Sequence, residues 1–461
     1  MKSFEHQLID FENLPFSWKD ESALDELETF LNSCWKQRSV FYNDNEDSST
    51  QQFVRFENKN SIKTRNYIGS IFFKGEKLTI FPKIFSKKSN IGCKEDCDKN
   101  IKIDDNFLVK NLVFWLSYND KINFPFLSVC NDLKNSEDLL ELFISIYARL
   151  VCQAIDRQLF FQYENITEEG HFIKGKIDFR DYSVDKYAKG LHHRLRYTFS
   201  NYVFDNEVNR IIKFTCSLLE SKVQNTSTKL ILRKILMRLN DVSLVNCYSY
   251  QCDRIHLGPL HKNYQYIISL SKMFLLNSLG TNNIGKDHNF CFLFPAELLF
   301  EGFVYGYLKE QLEIKDPSIQ VSRQTSDNYL ASLFVDDQLE RENVFNLRED
   351  ILVKRENKIL VLDTKYKVIN SFDSYKFDSK LGISDSDVKQ LVIYGIKRNS
   401  YKLFLMYPYQ LEENTESKTV KYQIKIGDIK SQKMELSILK VPFVYDDEYN
   451  MDDVVKKILE F

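Results

Sequence analysis

Two apolar runs, Leu347-Arg348-Glu349-Asp350-Ile351-Leu352-Val353 and Ile359-Leu360-Val361-Leu362-Asp363-Thr364-Lys365-Tyr366-Lys367, flank the charged stretch from Lys354 to Lys358. Two strands joined by such a turn form a β-hairpin, and a turn centred on Glu356-Asn357 sets Asp350 directly opposite Asp363, with Cβ atoms about 4.5–5.5 Å apart. Like charges so placed cost up to about 1 kcal/mol, and more when water is excluded, unless one is protonated or a cation lies between them. Alternation along the strand points Lys365 the same way as Asp363 and sends Leu360, Leu362 and Thr364 to the other face. Two acids, a backbone carbonyl and several waters suit Mg²⁺, which keeps part of its hydration shell and completes its octahedron with substrate phosphate. The chemistry expected is metal-assisted hydrolysis of a phosphodiester, with Asp350 and Asp363 on the metal and Lys365 orienting water or stabilising developing charge.

An aspartate and a lysine two residues apart also occur on solvated hairpins that need no metal. Two neighbouring helices strengthen the catalytic reading. A helix from Pro295 to Leu312 carries Glu297 and Glu301 on one face, and Glu301 is the expected supporting acid. A helix from Ser386 to Lys397 places Gln390, Tyr394 and Lys397 in one polar stripe opposite Val388, Leu391 and Val392, facing a phosphate backbone. With the strand Lys402 to Tyr407 and a short terminal helix from Asn450, the region from Ile284 onward alternates helix and strand, which favours a mixed sheet flanked by helices.

The rest of the chain divides by pattern. Phe53 to Phe56, Tyr67 to Phe73 and Leu78 to Phe81 read as strands, with Lys74-Gly75-Glu76 as a turn. The hydrophilic stretch Ser86 to Asn106 suggests a border near residue 105. The middle third is helical: an Asn135-Ser136 cap precedes Leu139, Phe143, Ile146, Leu150 and Ala154, and a second helix follows Asp205 with Val208, Ile211, Ile212 and Leu219 on one side. Between them, Gly175 to Phe179 reads as strand and the basic, aromatic segment Lys186 to Tyr197 as a projecting hairpin or loop. The expected class is α+β multidomain: a β-rich module over 1–105, a helical stalk with a finger over 106–283, and a nuclease-type domain over 284–461.

Composition narrows the function classes. At 461 residues the chain suggests several domains, and 43% hydrophobic with 28% charged residues describes a folding protein. With a net charge of −2, any nucleic-acid contact must come from a local basic face. No membrane span or secretory signal is legible, so a cytoplasmic location without membrane contact is expected, and the nine scattered cysteines are expected to be reduced. No Walker phosphate loop is present, so the chain is not itself expected to be a P-loop NTPase.

The Asp350, Asp363, Lys365 set resembles the PD-(D/E)xK nuclease superfamily, and the surrounding segments are similar to its McrC branch. Leu159 to Tyr163 followed by Ile173-Lys174-Gly175-Lys176-Ile177-Asp178, the Asn209-Arg210-Ile211-Ile212-Lys213 helix, Tyr67-Ile68-Gly69 with Leu78 to Ile84, and Asp387-Val388-Lys389-Gln390-Leu391-Val392-Ile393-Tyr394 follow that family's order and spacing. Glu349 stands where the family often has proline before its first catalytic aspartate. The resemblance implies metal binding by Asp350 and Asp363, a catalytic role for Lys365, and supporting roles for Glu301 and Gln390. It also implies a separate McrB-like AAA+ GTPase hexamer as partner, double-stranded and modified DNA as substrate, and a finger, Asp178 to Asn209, entering the motor with Lys189, His192, His193, Arg194 and Arg196 as contacts. A non-catalytic regulator docking on the motor and a stand-alone DNA-repair nuclease are the rival expectations.

Overall fold

The computed structural model describes residues 1–36, 38, 50–57, 61–86, 103–119, 139–258, 261–279, 289–323, 328–335, 338–356, 358–372, 375, 378–411, 420–425, 433–445 and 450–460. The Asn135-Ser136 cap, Asn357 and most of the hydrophilic stretch after Ser86 lie outside these residues. The chain forms two compact units, one from residues 1–139 with 285–461 and the other from 140–284.

In the first unit the N-terminal strands build a four-stranded sheet in the order β1 (Lys2–Phe4), β6 (Glu76–Phe81), β5 (Tyr67–Phe73), β10 (Phe290–Pro295), beside a three-stranded sheet of β2 (Leu8–Asp10), β4 (Ser61–Thr64) and β3 (Val54–Glu57). The Lys74-Gly75 turn between β5 and β6 falls where the sequence places it, both residues having positive φ. Helix α1 (Glu21–Trp35) starts on the Asp20 cap. The buried indoles of Trp18 and Trp35 pack against Phe73, Phe53 and Tyr67.

The expected border near residue 105 is not a border between compact units. Strand β10, from the far half of the chain, completes the N-terminal sheet by pairing antiparallel with β5. Helix α2 (Asp105–Tyr118), expected in the stalk, packs instead on α9 (Ala296–Lys315). Its Trp115 is fully buried, donates from Nε1 to the Phe443 carbonyl at 2.6 Å and stacks on the Phe443 ring at 4.1 Å. A Cβ at Gly306 would run into the Tyr118 carbonyl, so a glycine is needed where the two helices meet. The apolar surface of the segment before residue 120 is matched to the C-terminal region, and separating the two would expose both.

The C-terminal region carries a six-stranded mixed sheet in the order β11 (Ile319–Ser322), β14 (Ile351–Arg355), β15 (Lys358–Thr364), β16 (Lys402–Pro408), β18 (Lys433–Val441), β17 (Val420–Lys425). Strands β15, β16 and β18 run parallel and the outer pairs antiparallel. Helix α10 (Asp385–Arg398) lays Leu391 and Tyr394 on the face formed by Leu352, Val361, Leu403 and Leu405. Helix α9 takes the other face, where Phe300 meets Tyr366, and α11 (Asp452–Leu459) packs on α9. The expected mixed sheet with helices on both sides is present. The ribbon β12 (Asn328–Val335) with β13 (Gln338–Leu347) was not anticipated.

The second unit combines α3 (Leu139–Arg157), α5 (Glu207–Glu220), α6 (Thr226–Arg238), α7 (Ser249–Cys252) and α8 (Lys262–Leu279) with a long hairpin. In it β7 (Gln162–Gly170) pairs along its whole length with β9 (Leu195–Val203), and β8 (Lys176–Ile177) adds a short third strand. The tip contains the single helical turn α4 (Phe179–Asp181) and a wider turn over Tyr182–Tyr187.

Gly69, at φ 139°, faces the Phe292 carbonyl so closely that a Cβ would overlap it. Gly69→Ala is therefore expected to strain the β5–β10 pairing by about 2–4 kcal/mol and to lower the first thermal transition by several degrees. An unchanged melting curve would show that this pairing does not limit stability.

Candidate active site

The β14–β15 hairpin has the register set by its turn: Ile351 pairs with Leu362 and Arg355 with Lys358, which carries Asp350 to the position opposite Asp363. Arg348 to Asp350 does not continue the strand, however, since β13 ends at Leu347 and β14 starts at Ile351. Freed from the pleat, Asp350 turns to the end of β15, where its Oδ2 accepts from the Thr364 N–H at 2.8 Å and from the Thr364 hydroxyl at 2.9 Å. Thr364, which strand alternation sends to the other face, anchors the site's first carboxylate.

Asp363 lies in the sheet with none of its surface exposed. The Lys365 ammonium stands 2.7 Å from its Oδ2 as an ion pair, while its buried Oδ1 has no hydrogen-bond donor. Burial pushes the Asp363 carboxyl up to about 7, Asp350 adds to the rise, and Lys365 opposes it. Lys365 is affected in reverse: burial works against its charge, but Asp363 and Asp350 outweigh burial and hold its pKa above the usual lysine range. The expected trio converges at one strand end.

Gln390 donates to the Tyr394 hydroxyl at 2.7 Å across one turn of α10, and Tyr394 lies in the field of Asp363, Asp350 and Lys365. Of the stripe expected on this helix, Tyr394 with its partner Gln390 faces the acids. Glu301 is placed differently. It stands partly buried on α9, across the sheet from α10, and among the described residues no three or more His, Cys, Asp or Glu side chains converge for a cation. Asp350, Asp363 and Glu301 thus form no three-acid cluster among the described residues. Glu297 points elsewhere, accepting from Asn66 at 3.2 Å.

Three further residues belong to the site. Asp387, buried at the start of α10, pairs with Lys367 at 2.8 Å and adds negative field at Asp363. The alternation that singles out Lys365 also reaches Lys367, and helical spacing from Gln390 and Tyr394 reaches Asp387. Glu349, in the position where proline was the family's pattern, is buried and paired with Arg398 at 2.8 Å and Asn328 at 2.9 Å. Burial disfavours its charge, but Arg398 and Asn328 prevail and hold its carboxyl below the usual range. It fastens the end of α10 to the residue preceding Asp350, a tie that proline could not make.

In the second unit the expected finger residues sit on the β7–β9 hairpin and its tip. Lys189 pairs with Asp185 at 3.1 Å, Arg194 with Glu169 at 3.7 Å, and Arg196 lies opposite Glu169 in the ladder. The His192 ring rests against Tyr187 and the His193 ring stacks on His171. Phe172, Ile173, Phe179, Val184 and Tyr187 are exposed around them.

A carboxyl raised to about 7 makes the folded chain bind an extra proton between the ordinary carboxylate range and pH 7. Its stabilising contribution is complete below that ordinary range and is lost as pH rises through about 7. Asp363→Asn has no such loss, so in chelator its melting temperature relative to the natural chain is expected to rise between pH 5 and pH 8 by several degrees, on the order of 2–3 kcal/mol. Glu5, also pushed up to about 7 by burial, is common to both proteins and cancels. An equal difference at both pH values would refute the raised carboxyl.

A family model described as the McrBC 5-methylcytosine restriction system component matches residues 62–408, well over half of the chain. No curated protein sequence gives a significant match. Among solved structures, a chain of the refined half-complex from the tetradecameric assembly of Thermococcus gammatolerans McrB AAA+ hexamers with bound McrC is similar at TM-score 0.62 and 15% identity, over 100% of this chain and 99% of its own. A chain of the Thermococcus gammatolerans McrBC complex is similar at TM-score 0.46 and 17% identity, over 67% of this chain and 86% of its own. At 15% identity the first likeness is one of fold. By the family match over residues 62–408, the chain belongs to the McrBC 5-methylcytosine restriction system component family.

Proposed function

We propose that the chain is the DNA endonuclease subunit of a nucleotide-dependent restriction system, with a PD-(D/E)xK-type site. The observation that carries this reading is the buried Asp363 carboxylate, one oxygen without a donor, placed beside Asp350 and Lys365 at one strand end. A buried acid whose ionisation is opposed by burial and by a second acid, and which keeps an oxygen without a donor, fits a hard divalent cation better than an empty polar site. Asp350 and Asp363 would hold Mg²⁺; bound there, it would polarise the scissile phosphate and acidify a water.

The chain's own groups do the rest. Thr364 holds Asp350 in place. Lys365, kept cationic by its acidic neighbours, donates to a phosphate oxygen or orients the attacking water. Gln390 and Tyr394 border the phosphate path, and Glu301 on α9 keeps the supporting role that the resemblance implies. The hairpin of the second unit is the surface for a McrB-like AAA+ GTPase hexamer, with Lys189, His192, His193, Arg194 and Arg196 as contacts, and modified double-stranded DNA is the substrate. The solved assembly similar in fold contains McrB AAA+ hexamers with bound McrC, which supports such a partner.

In an assay with a McrB-type partner, GTP, methylated DNA and Mg²⁺, Asp363→Ala and Lys365→Ala are each expected to lower cleavage at least about a hundredfold while stimulation of the partner's GTPase persists. Unchanged cleavage by both variants would favour a docking regulator without catalysis, and metal-dependent cutting without a partner would favour a stand-alone nuclease. Replacing His192, His193 and Arg194 together with alanine is expected to reduce GTPase stimulation by about tenfold or more. Full stimulation by that variant would place the motor contact elsewhere.

A further inference from the structure

Strand β15 ends at Thr364, and the last ladder bond of the site's strand runs from the Lys365 N–H to the Met406 carbonyl at 2.9 Å. The next residues leave the sheet in a three-residue turn, the Lys367 N–H donating to the Lys365 carbonyl at 2.8 Å with Tyr366 at its centre. Lys365 and Lys367 face one side, toward Asp363 and Asp387. Tyr366 points the opposite way and is buried between Phe300 and Phe443.

The Tyr366 hydroxyl does not end among those rings. It donates to Glu5 Oε2 at 2.7 Å, and the same oxygen accepts from the Lys83 N–H at 2.8 Å. Glu5 follows β1, its N–H bonded to the Phe81 carbonyl at 3.0 Å, and it is only 5% exposed, with Oε1 buried and lacking a donor. The Lys83 ammonium lies over the Tyr366 ring, 4.3 Å from its centroid. A buried carboxyl is costly to retain unless its acceptors are needed. Among the described residues, its one long-range bond to a side chain reaches the residue between two site lysines.

We propose that Glu5 is a positioning residue for Lys365, acting through the Tyr366 hydroxyl to fix the turn that presents the ammonium to Asp363. Glu5 sits in the turn that directly follows β1 of the N-terminal sheet, so the end of this strand is a working part of the site. The catalytic consequence rests on the nuclease reading; the mechanical linkage does not.

Tyr366→Phe removes the hydroxyl and keeps the ring. In the purified full chain without metal, acetylation of Lys365 by an amine-reactive anhydride, read by mass spectrometry against Lys234 as reference, is expected to quicken about threefold or more in Tyr366→Phe and in Glu5→Leu. Glu5→Gln, whose amide oxygen still accepts both bonds, is expected to restore the natural rate. With partner, GTP, methylated DNA and Mg²⁺, Tyr366→Phe is expected to lower cleavage about tenfold and leave GTPase stimulation unchanged. Equal Lys365 labelling in Tyr366→Phe and the natural chain overturns the linkage, even if Glu5→Leu fails to fold. Faster labelling with unaltered cleavage overturns the positioning role. If the natural chain cuts no DNA, the nuclease reading falls, and the labelling still decides the linkage.

Discussion

A carboxylate held out of water next to another carboxylate is the constraint around which the C-terminal sheet is arranged. Asp363 is enclosed at the end of a parallel strand, with Asp350 and Asp387 adding negative field and Lys365 supplying one compensating charge. Much of the surrounding structure serves to keep that conflict from relaxing. Thr364 stops Asp350 from turning to solvent, Glu349 and Arg398 pin the helix behind it, and Lys367 occupies Asp387.

The same sheet draws on distant parts of the chain. Trp115 and Gly306 join the segment before residue 120 to α9 and to Phe443, and β10 leads from the N-terminal sheet directly into α9. Tyr366 closes this circuit from the other end. What reads as a separate β-rich module in the sequence is therefore structurally continuous with the strand that bears the acids.

The hairpin at 351–364 was legible because turn charge and strand alternation fix a register, and the resulting Asp350–Asp363 apposition needs no tertiary knowledge. The helix 385–398 was legible for the same reason at a helical period. Three things were not. The pairing of β10 with β5 joins residues over two hundred positions apart, which no local pattern encodes. The break at Arg348 to Asp350 lies inside a run that looks like continuous strand, and Glu349 within it pairs with Arg398 from a later helix. Glu5 sits in a short polar stretch with no periodicity, and only its burial against Tyr366 distinguishes it from a solvated acid. For Glu301 the sequence is limited in a related way: helical phase gives the face of a helix, but not the side of the sheet on which the helix comes to rest.

The pairing of β5 with a strand that begins at Phe290 has a consequence for biosynthesis. At ribosomal speeds of about 5–20 residues per second, the partner of β5 emerges on the order of 10–40 s after β5 itself, and the intervening 140–284 unit is complete in the meantime. During that interval β5 presents an unpaired edge, which invites chaperone capture or mispairing between nascent chains. Assembly of the acidic centre is consequently among the last events in the maturation of the polypeptide, since its strands follow β10 in the chain.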